Sequence, residues 1–335
     1  MDWKFELGQI TRKNQVPLFF ENIKDYPGYS VLTNGLSHSS CIAATLGLDP
    51  SSSRKKLIAE LKRRTMVAIK PVFLGTSPVL ENVVCASTIN FLQLPVPHWS
   101  DQETGRYLGT WHINVTKDPE TGSRNIGVYR MQVLGPNRAT VSTSPRSHLG
   151  QHVAKAERKG RSLEMAVAIG VPESVVMAAG ASYPPGCDEY ELAGALQGHP
   201  VPLIKCQTVE LEIPAHSEIV IEGEIQPGVR VQDGPYLDYT GKTNINPNAF
   251  LFEAQRLMFR NNPIFRGASI GIAGAEDHQL FAVLSELNLV DFHSHRLRQL
   301  IQNQLLRRHF FKGFQWVGKA GAMIPSQRWK LNLRS

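Results

Sequence analysis

Cysteine is scarce in this chain: four in 335 residues. Cys41, Cys85, Cys187 and Cys206 lie far apart and form no C-x-x-C pair. That spacing excludes a disulfide framework and a structural zinc knuckle, and it suits a reducing compartment. Long apolar runs are missing as well. None approaches the ~18 residues a membrane span needs, and the polar start "MDWKFELGQITRKNQ" has no apolar signal core. The chain therefore reads as cytoplasmic, with no membrane partner. It also lacks G-x-G-x-x-G, G-x-x-x-x-G-K-[ST] and G-x-S-x-G, so nicotinamide Rossmann enzymes, P-loop NTPases and α/β-hydrolases lose ground. No internal repeat or low-complexity tract is present.

What is present is ordinary globular composition, with 42% hydrophobic and 19% charged residues, enough for a sizeable core. The formal charge of +7 is unevenly spread. Residues 292 to 335 hold nine Lys/Arg and no acid, which leaves 27 basic against 29 acidic residues elsewhere. A sequence pI of 9.2 is thus a property of the tail, and no nucleic-acid partner is expected. A tail-borne nucleic-acid role is a separate hypothesis. It requires salt-dependent binding that is lost on deleting residues 292 to 335.

The pattern predicts an α/β chain of the α+β type. "VPLFFENIK" is a strand, and "SRKKLIAELKRRT" is a helix capped by Ser52 or Ser53. "FLQLPVPHWS" is a Pro-rich connector. "WHINVTKD", "NIGVYRMQVLG" and "RATVSTS" are strands joined by the turns "DPETG" and "GPN". "LGQHVAKAERKG" is a helix closed by Gly160. "PESVVMAAG" and "DEYELAGALQG" are short helices, the second ending at Gly198. "VELEIP", "SEIVIEGEI" and "FLFEAQRLMFR" are strands. An antiparallel β-barrel decorated by helices fits this order. "HRLRQLIQNQLLRRHFFKGFQW" reads as a basic amphipathic helix, and "AMIPSQRWKLNLRS" has no clear element.

Asn125, His148 and Glu189 offer two hard oxygen donors and a nitrogen, a set suited to Mn²⁺ or Mg²⁺. The alternative is a turn-capping Asn, a surface His and a helix-start Glu. Arg130 lies five residues after Asn125. An odd separation sends the two to opposite faces of a strand, so a bulge or bend near Gly127 is needed to bring them to one site. Arg clamps carboxylates through charge-assisted bonds; the alternative is an Arg at a barrel rim. "VQDGPYLDYTG" places Asp233 and Asp238 five residues apart. Two acids with an Arg between them can supply a neutral acid. The alternative is an acidic hairpin turning at Gly234-Pro235. Cys187 is a candidate thiol, with an inert core cysteine as the competing reading.

Through these residues the chain resembles the UbiD family of reversible decarboxylases, which use prenylated FMN. The resemblance spans roughly residues 15 to 275. It is carried by "PLFFENIKDYPGYSVLTN", "LPVPHWSDQETGRYLGTWHINVTKDPETGSRNIGVYRMQVLG", "SHLGQHVAKAE", "DEYELAGALQGHPVPLIKCQTVELEIPAHSEIVIEGEI" and "DGPYLDYTG". It implies a split antiparallel β-barrel for the flavin over residues 85–265, an N-terminal α/β region over 1–84 and an atypical C-terminal region with a basic tail over 266–335. By resemblance, Asn125, His148 and Glu189 hold Mn²⁺ beside the flavin phosphate, with K⁺ as an additional ion. Asn125, Ile126, Gly127, Val128, Arg130, Ser147, His148 and Glu189 contact the cofactor. Arg130, Asp233 and Asp238 form an acid–arginine–acid network, with Asp238 the proton donor.

The implied reaction is non-oxidative decarboxylation of an aromatic, heteroaromatic or α,β-unsaturated acid. Loss of CO₂ from an sp² carbon needs an electron sink that no side chain offers, so a cofactor must supply it. A flavin prenyltransferase is then the cofactor's supplier, and a homo-oligomer is expected if a C-terminal interface exists. The alternative is a catalytically impaired relative acting as a flavin-binding or interaction subunit. Three departures are noted. The family usually has Glu where Asp233 stands. The chain begins later than most members, without one N-terminal helix. The resemblance fades after "GIAGAEDHQL", where the family's C-terminal domain supplies a flavin-contacting lysine and much of a dimer interface.

Overall fold

The computed structural model describes residues 1–181 and 188–287, together with the backbone of 314–317 and 322–325. Residues 1–284 form one compact unit. Its elements in chain order are α1 (Glu6–Lys13), β1 (Leu18–Phe20), β2 (Ser30–Thr33), α2 (Ser39–Thr45), α3 (Arg54–Thr65), β3 (Val72–Phe73), β4 (Asn82–Cys85), β5 (Tyr107–Gly109), β6 (His112–Lys117), β7 (Arg124–Gly127), β8 (Met131–Gln132), β9 (Arg138–Val141), α4 (His148–Arg158), β10 (Leu163–Ile169), α5 (Glu173–Gly180), α6 (Glu189–Gln197), β11 (Pro202–Lys205), β12 (Glu212–Pro214), β13 (Ile219–Leu237), β14 (Thr243–Phe259) and β15 (Ile264–Arg266). A further helix begins at residue 276 and runs through the described residues to 287.

The main sheet is antiparallel, in the order β4-β14-β13-β10-β6-β7. It curls because β14 pairs with β9 through Phe250 to Glu253 and with β4 through Arg256 to Phe259. The α/β class and the antiparallel half-barrel anticipated from the sequence are both present. Alternation explains the two faces of β10: Leu163, Met165, Val167 and Ile169 join the main core with Trp99, Tyr107, Leu149 and Phe252. Between them, Ala166 and Ala168 are buried on the opposite side, where small side chains allow close approach.

Three helices show why they form where they do. Ser53 caps α3 by accepting from Lys56 N, and Leu57, Ile58 and Leu61 give it one buried stripe. Ser147 caps α4, accepting from Gly150 N, and Leu149, His152, Val153 and Ala156 face inward. Asp188 caps α6, and Gly198 ends it at φ +83°, a conformation that favours glycine.

The N-terminal segment does not close on itself. β1-β2 is completed by β15, which runs parallel to β2, and β3 pairs with β11. Four sequence expectations need correction. "NIGVYRMQVLG" is two short strands, β7 and β8, with residues 128–130 outside either. "VELEIP" is strand only at Glu212–Pro214. Gly234-Pro235 is not the hairpin turn. β13 runs on to Leu237, and the turn is closed by Gly241 N donating to Asp238 O. In the second unit, Phe314–Val317 pairs antiparallel with Ala322–Pro325. The last residues of the expected basic helix are therefore strand, because backbone pairing with a partner segment overrides a helical pattern. The rest of that helix, and Cys187, lie outside the described residues. Cys41, Cys85 and Cys206 are unpaired.

Candidate functional site

The site is built around the break after β7. Gly127 ends the strand, and a Cβ there would sit 2.6 Å from the Tyr129 ring, so only glycine lets that ring fold back. Tyr129 N donates to Asn114 Oδ1 on β6 at 3.1 Å, which fixes the bend. The break supplies the change of direction that the Asn125–Arg130 spacing demands. Val128, Tyr129 and Arg130 are all partly exposed along it.

On one side, two helix N-termini meet β7. His148 opens α4, and its Nδ1 lies 3.1 Å from Asn125 Oδ1. Glu189 opens α6, and its Oε2 accepts from Ile126 N at 3.3 Å. Ser147 stays with its own helix: it donates to Ser144 O at 2.8 Å and accepts from Thr143 Oγ1 at 2.8 Å. Asn125 and Glu189 are buried. Burial pushes the Glu189 carboxyl up to about 7, and the nearby Arg124 only partly offsets this. The reason is that Arg124 is engaged by Asp188 at 2.7 Å and Glu212 at 2.8 Å.

A buried carboxylate short of positive charge, beside an Asn oxygen and a His ring, fits a hard divalent cation. Among the described residues no group of three or more His, Cys, Asp or Glu could hold a metal. The mixed set with Asn125 is therefore the arrangement to consider. The two helix N-termini add partial positive charge that favours a phosphate at the same place.

On the other side, Arg130 Nε donates to Asp233 Oδ1 at 2.6 Å. Thr140 Oγ1 donates to Asp233 Oδ2 at 2.6 Å. Asp233 has no exposed surface. Next to it, Gly234 N donates to Gln132 Oε1 at 2.8 Å. Arg130 also lies over the Tyr236 ring, 4.8 Å from its centroid. Asp238 is placed differently. Its Oδ1 accepts from Thr240 N at 2.8 Å and Thr240 Oγ1 at 2.5 Å. Among the described residues, no hydrogen bond joins Asp238 to Arg130. The structure thus joins Asn125 to His148, Ile126 to Glu189, and Arg130 to Asp233, and leaves Asp238 bound to its own turn.

Sequence reasoning passed over Arg124, Tyr129, Thr140, Gln132 and Glu103. Gln132 had a signal, since it lies two residues from Arg130 on a stretch read as one continuous strand, where alternation would put both on one face. Thr140 had none, because its role appears only when β9 and β13 meet.

Glu103 is the most perturbed of these. Its carboxyl is buried against the end of β13, and burial pushes it up to about 8, with Arg12 pulling the other way. The folded protein therefore binds this proton more tightly than the unfolded chain. Stability from this group falls as pH rises from about 4.5 to about 8 and is level beyond. Glu103→Gln should remove that slope. Its melting temperature should exceed wild type by about 3 °C or more at pH 8.5 and match it near pH 4.5. Parallel slopes in the two proteins would refute the assignment.

Comparison with known proteins identifies the chain's relatives. Residues 72–273 match the UbiD family, described as the 3-octaprenyl-4-hydroxybenzoate carboxy-lyase Rift-related domain. Residues 1–61 match the corresponding N-terminal domain. The chain is 31% identical over 306 residues to a pyrrole-2-carboxylic acid decarboxylase of Pseudomonas aeruginosa, covering 87% of this chain and 62% of that protein. It is 33% identical over 286 residues to a phenolic acid decarboxylase of Sedimentibacter hydroxybenzoicus, covering 83% and 59%.

Among solved structures, the closed form of the vanillic acid decarboxylase of Sedimentibacter hydroxybenzoicus superposes with a TM-score of 0.81 at 30% identity, over 85% of this chain and 62% of that one. An evolved dimeric form of the UbiD-class enzyme HmfF from Pelotomaculum thermopropionicum, in complex with prFMN, gives 0.79 at 31% identity, over 87% and 67%. The chain thus spans about three fifths of the length of the curated relatives it matches. On sequence and on fold, the chain belongs to the UbiD family.

Proposed function

We propose that this chain carries out reversible, non-oxidative decarboxylation of an aromatic, heteroaromatic or α,β-unsaturated carboxylic acid with prenylated FMN. The observation that supports it most is the convergence of His148 and Glu189, each at a helix start, on the Asn125–Ile126 strand, one bend away from the Arg130–Asp233 pair. Asn125, His148 and Glu189 would hold Mn²⁺, with K⁺ as a second ion. The α4 N-terminus, with Ser147 and His148, would receive the flavin phosphate. When bound, the flavin supplies the electron sink that loss of CO₂ requires.

The protein's part is orientation and proton handling. Arg130, anchored by Asp233 through Nε, offers the substrate carboxylate the rest of its guanidinium, of which Nη2 lacks a hydrogen-bond partner among the described residues, and fixes it for departure. Thr140 holds Asp233 so that the guanidinium cannot swing away. Asp238 delivers the proton that replaces CO₂. Thr240 occupies its Oδ1, which leaves Oδ2 as the atom from which the proton leaves. Asp at position 233, one methylene shorter than the Glu usual in the family, still reaches Arg130.

The flavin region of residues 85–265, the N-terminal region of 1–84 and the segment from 266 onward are proposed as functional divisions. A flavin prenyltransferase is the proposed cofactor supplier. A cytoplasmic homo-oligomer is the proposed working form.

The bonding of Asp238 to Thr240 favours one second reading: a relative that binds flavin without turnover. One experiment separates the two. The chain is co-expressed with a flavin prenyltransferase and Mn²⁺, then assayed for its visible spectrum, metal content and CO₂ release from unsaturated acids. Bound prenylated flavin with CO₂ release supports the decarboxylase. Bound flavin with no release from any acid supports the second reading. In the same preparation, Glu189→Gln should lower bound Mn²⁺ at least about tenfold. Unchanged metal content would remove Glu189 as a ligand.

A further inference from the structure

Residues 128–130 carry Arg130 but belong to neither β7 nor β8, so they lack the rungs of a ladder. Among the described residues, two hydrogen bonds fasten this stretch of backbone. Ser142 N donates to Arg130 O at 3.0 Å, and Tyr129 N donates to Asn114 Oδ1 at 3.1 Å. In the second bond a side chain, not a strand, takes the amide. Asn114 opposes Gly127 in the last pair of the β6–β7 ladder, so its carboxamide stands where the ladder stops.

An amide is expensive at this place. Asn114 is fully buried, and its Nδ2 meets two thioethers, Met131 Sδ at 3.3 Å and Met165 Sδ at 3.7 Å. Sulfur is a weak acceptor, so an apolar residue would fill the same space with less desolvation. The bond to Tyr129 N is the strong one that Asn114 makes. The rest of β6 follows the same plan. Ile113 and Val115 are buried on one face, while His112, Asn114 and Thr116 are buried on the other, as alternation requires. The Asn114 side chain and the Tyr129 backbone both act on the His112 ring. Thr116 Oγ1 lies 2.9 Å from Nδ1 of His152, one turn along α4 from His148. One row of side chains thus ties down both halves of the site: the bend with Arg130, and the helix that His148 opens.

We propose that Asn114 is a positioning residue: by holding Tyr129 N it sets where the Arg130 guanidinium stands and keeps it on Asp233. The contact from Arg130 Nε to Asp233 Oδ1 is 2.6 Å. A shift of the bend by about 1 Å would stretch it beyond a hydrogen bond. The effect of Asn114 on turnover rests on the decarboxylase reading; its effect on Arg130 does not.

Melting temperature tests the placement without cofactor or substrate. Arg130→Met strands the Asp233 carboxylate and should lower the melting temperature of the wild-type protein. In an Asn114→Leu background Arg130 has already left Asp233, so the same substitution should lower it by about half as much or less. Leucine is close to asparagine in shape. If Asn114 served packing alone, the two substitutions would act independently and the fall would be equal in both backgrounds; that result overturns the proposal. Should Asn114→Leu not melt cooperatively, Asn114→Ser, too short to reach Tyr129 N, carries the same comparison. Turnover is the second readout. Flavin-loaded Asn114→Leu should keep its flavin spectrum and its Mn²⁺ and release CO₂ about 10²-fold more slowly, the effect of a misplacement of about 1 Å. Release equal to that of an active wild type also overturns the role. A wild type that holds flavin and releases no CO₂ from any acid counts against the decarboxylase reading, and the melting comparison then judges Asn114 by itself.

Discussion

Arg130→Met should lower CO₂ release from flavin-loaded protein by about 10³-fold or more and destabilise the fold by about 3–5 kcal/mol. Both effects come from one contact. Asp233 has no exposed surface, and its partners are Arg130 and Thr140. Removing the guanidinium leaves a buried carboxylate with a single hydroxyl. Methionine keeps the stem length over Tyr236, so the loss reports charge rather than packing. Urea unfolding and turnover separate the two consequences. The double variant Arg130→Met with Asp233→Asn removes the uncompensated charge, and should recover most of the stability and none of the turnover. Turnover within threefold of wild type in the single variant would take Arg130 out of the reaction.

Arg266→Met should be the most damaging substitution away from the proposed site. Arg266 is 3% exposed and binds Glu173 at 2.7 Å and Glu276 at 2.5 Å. Its loss strands two carboxylates, one of them 1% exposed. The expected cost is about 3–5 kcal/mol, or roughly a 4–7 °C fall in melting temperature. Trp111 offers an internal reporter, since its Nε1 donates to Glu173 at 2.8 Å and Arg266 lies over its ring. Its fluorescence should change in the variant even below the melting transition. A variant that melts with wild type would mean that water reaches Glu276 readily.

The sequence reveals local features well. Ser53, one of the two cap positions expected, caps the helix it precedes. Gly198 ends its helix as expected, and the Asn125–Arg130 spacing calls for a bend that the chain makes at Gly127. These features depend on a few neighbouring residues, so local chemistry determines them. What was not legible depends on distant pairing. The alternative reading turns the hairpin at Gly234-Pro235, the commoner turn pair. Yet β13 absorbs those residues through register shifts around Asp233 and turns later, at Asp238 to Gly241. That displacement decides the site, because it buries Asp233 against Arg130 and leaves Asp238 with Thr240. Thr140 and Glu103 were invisible for the same reason. Each gains its meaning from a segment about a hundred residues away or more, as with Thr140 and Asp233, 93 positions apart.

The stitching of the N-terminal strands to β15 and to Glu276 has a consequence for how the protein comes into being. Asn34 waits for a carboxylate 242 positions downstream, and β2 waits for β15 to lie beside it. During synthesis at about 5–20 residues per second, that wait is on the order of 10 to 50 s. For this time β2 has an open edge and the Asn34–Leu36 amides have no acceptor. Such distant contacts make for slow closure, and the nascent chain is most prone to association in this interval. A trigger of folding near residue 276, rather than gradual consolidation from the start, is the order of events this architecture imposes.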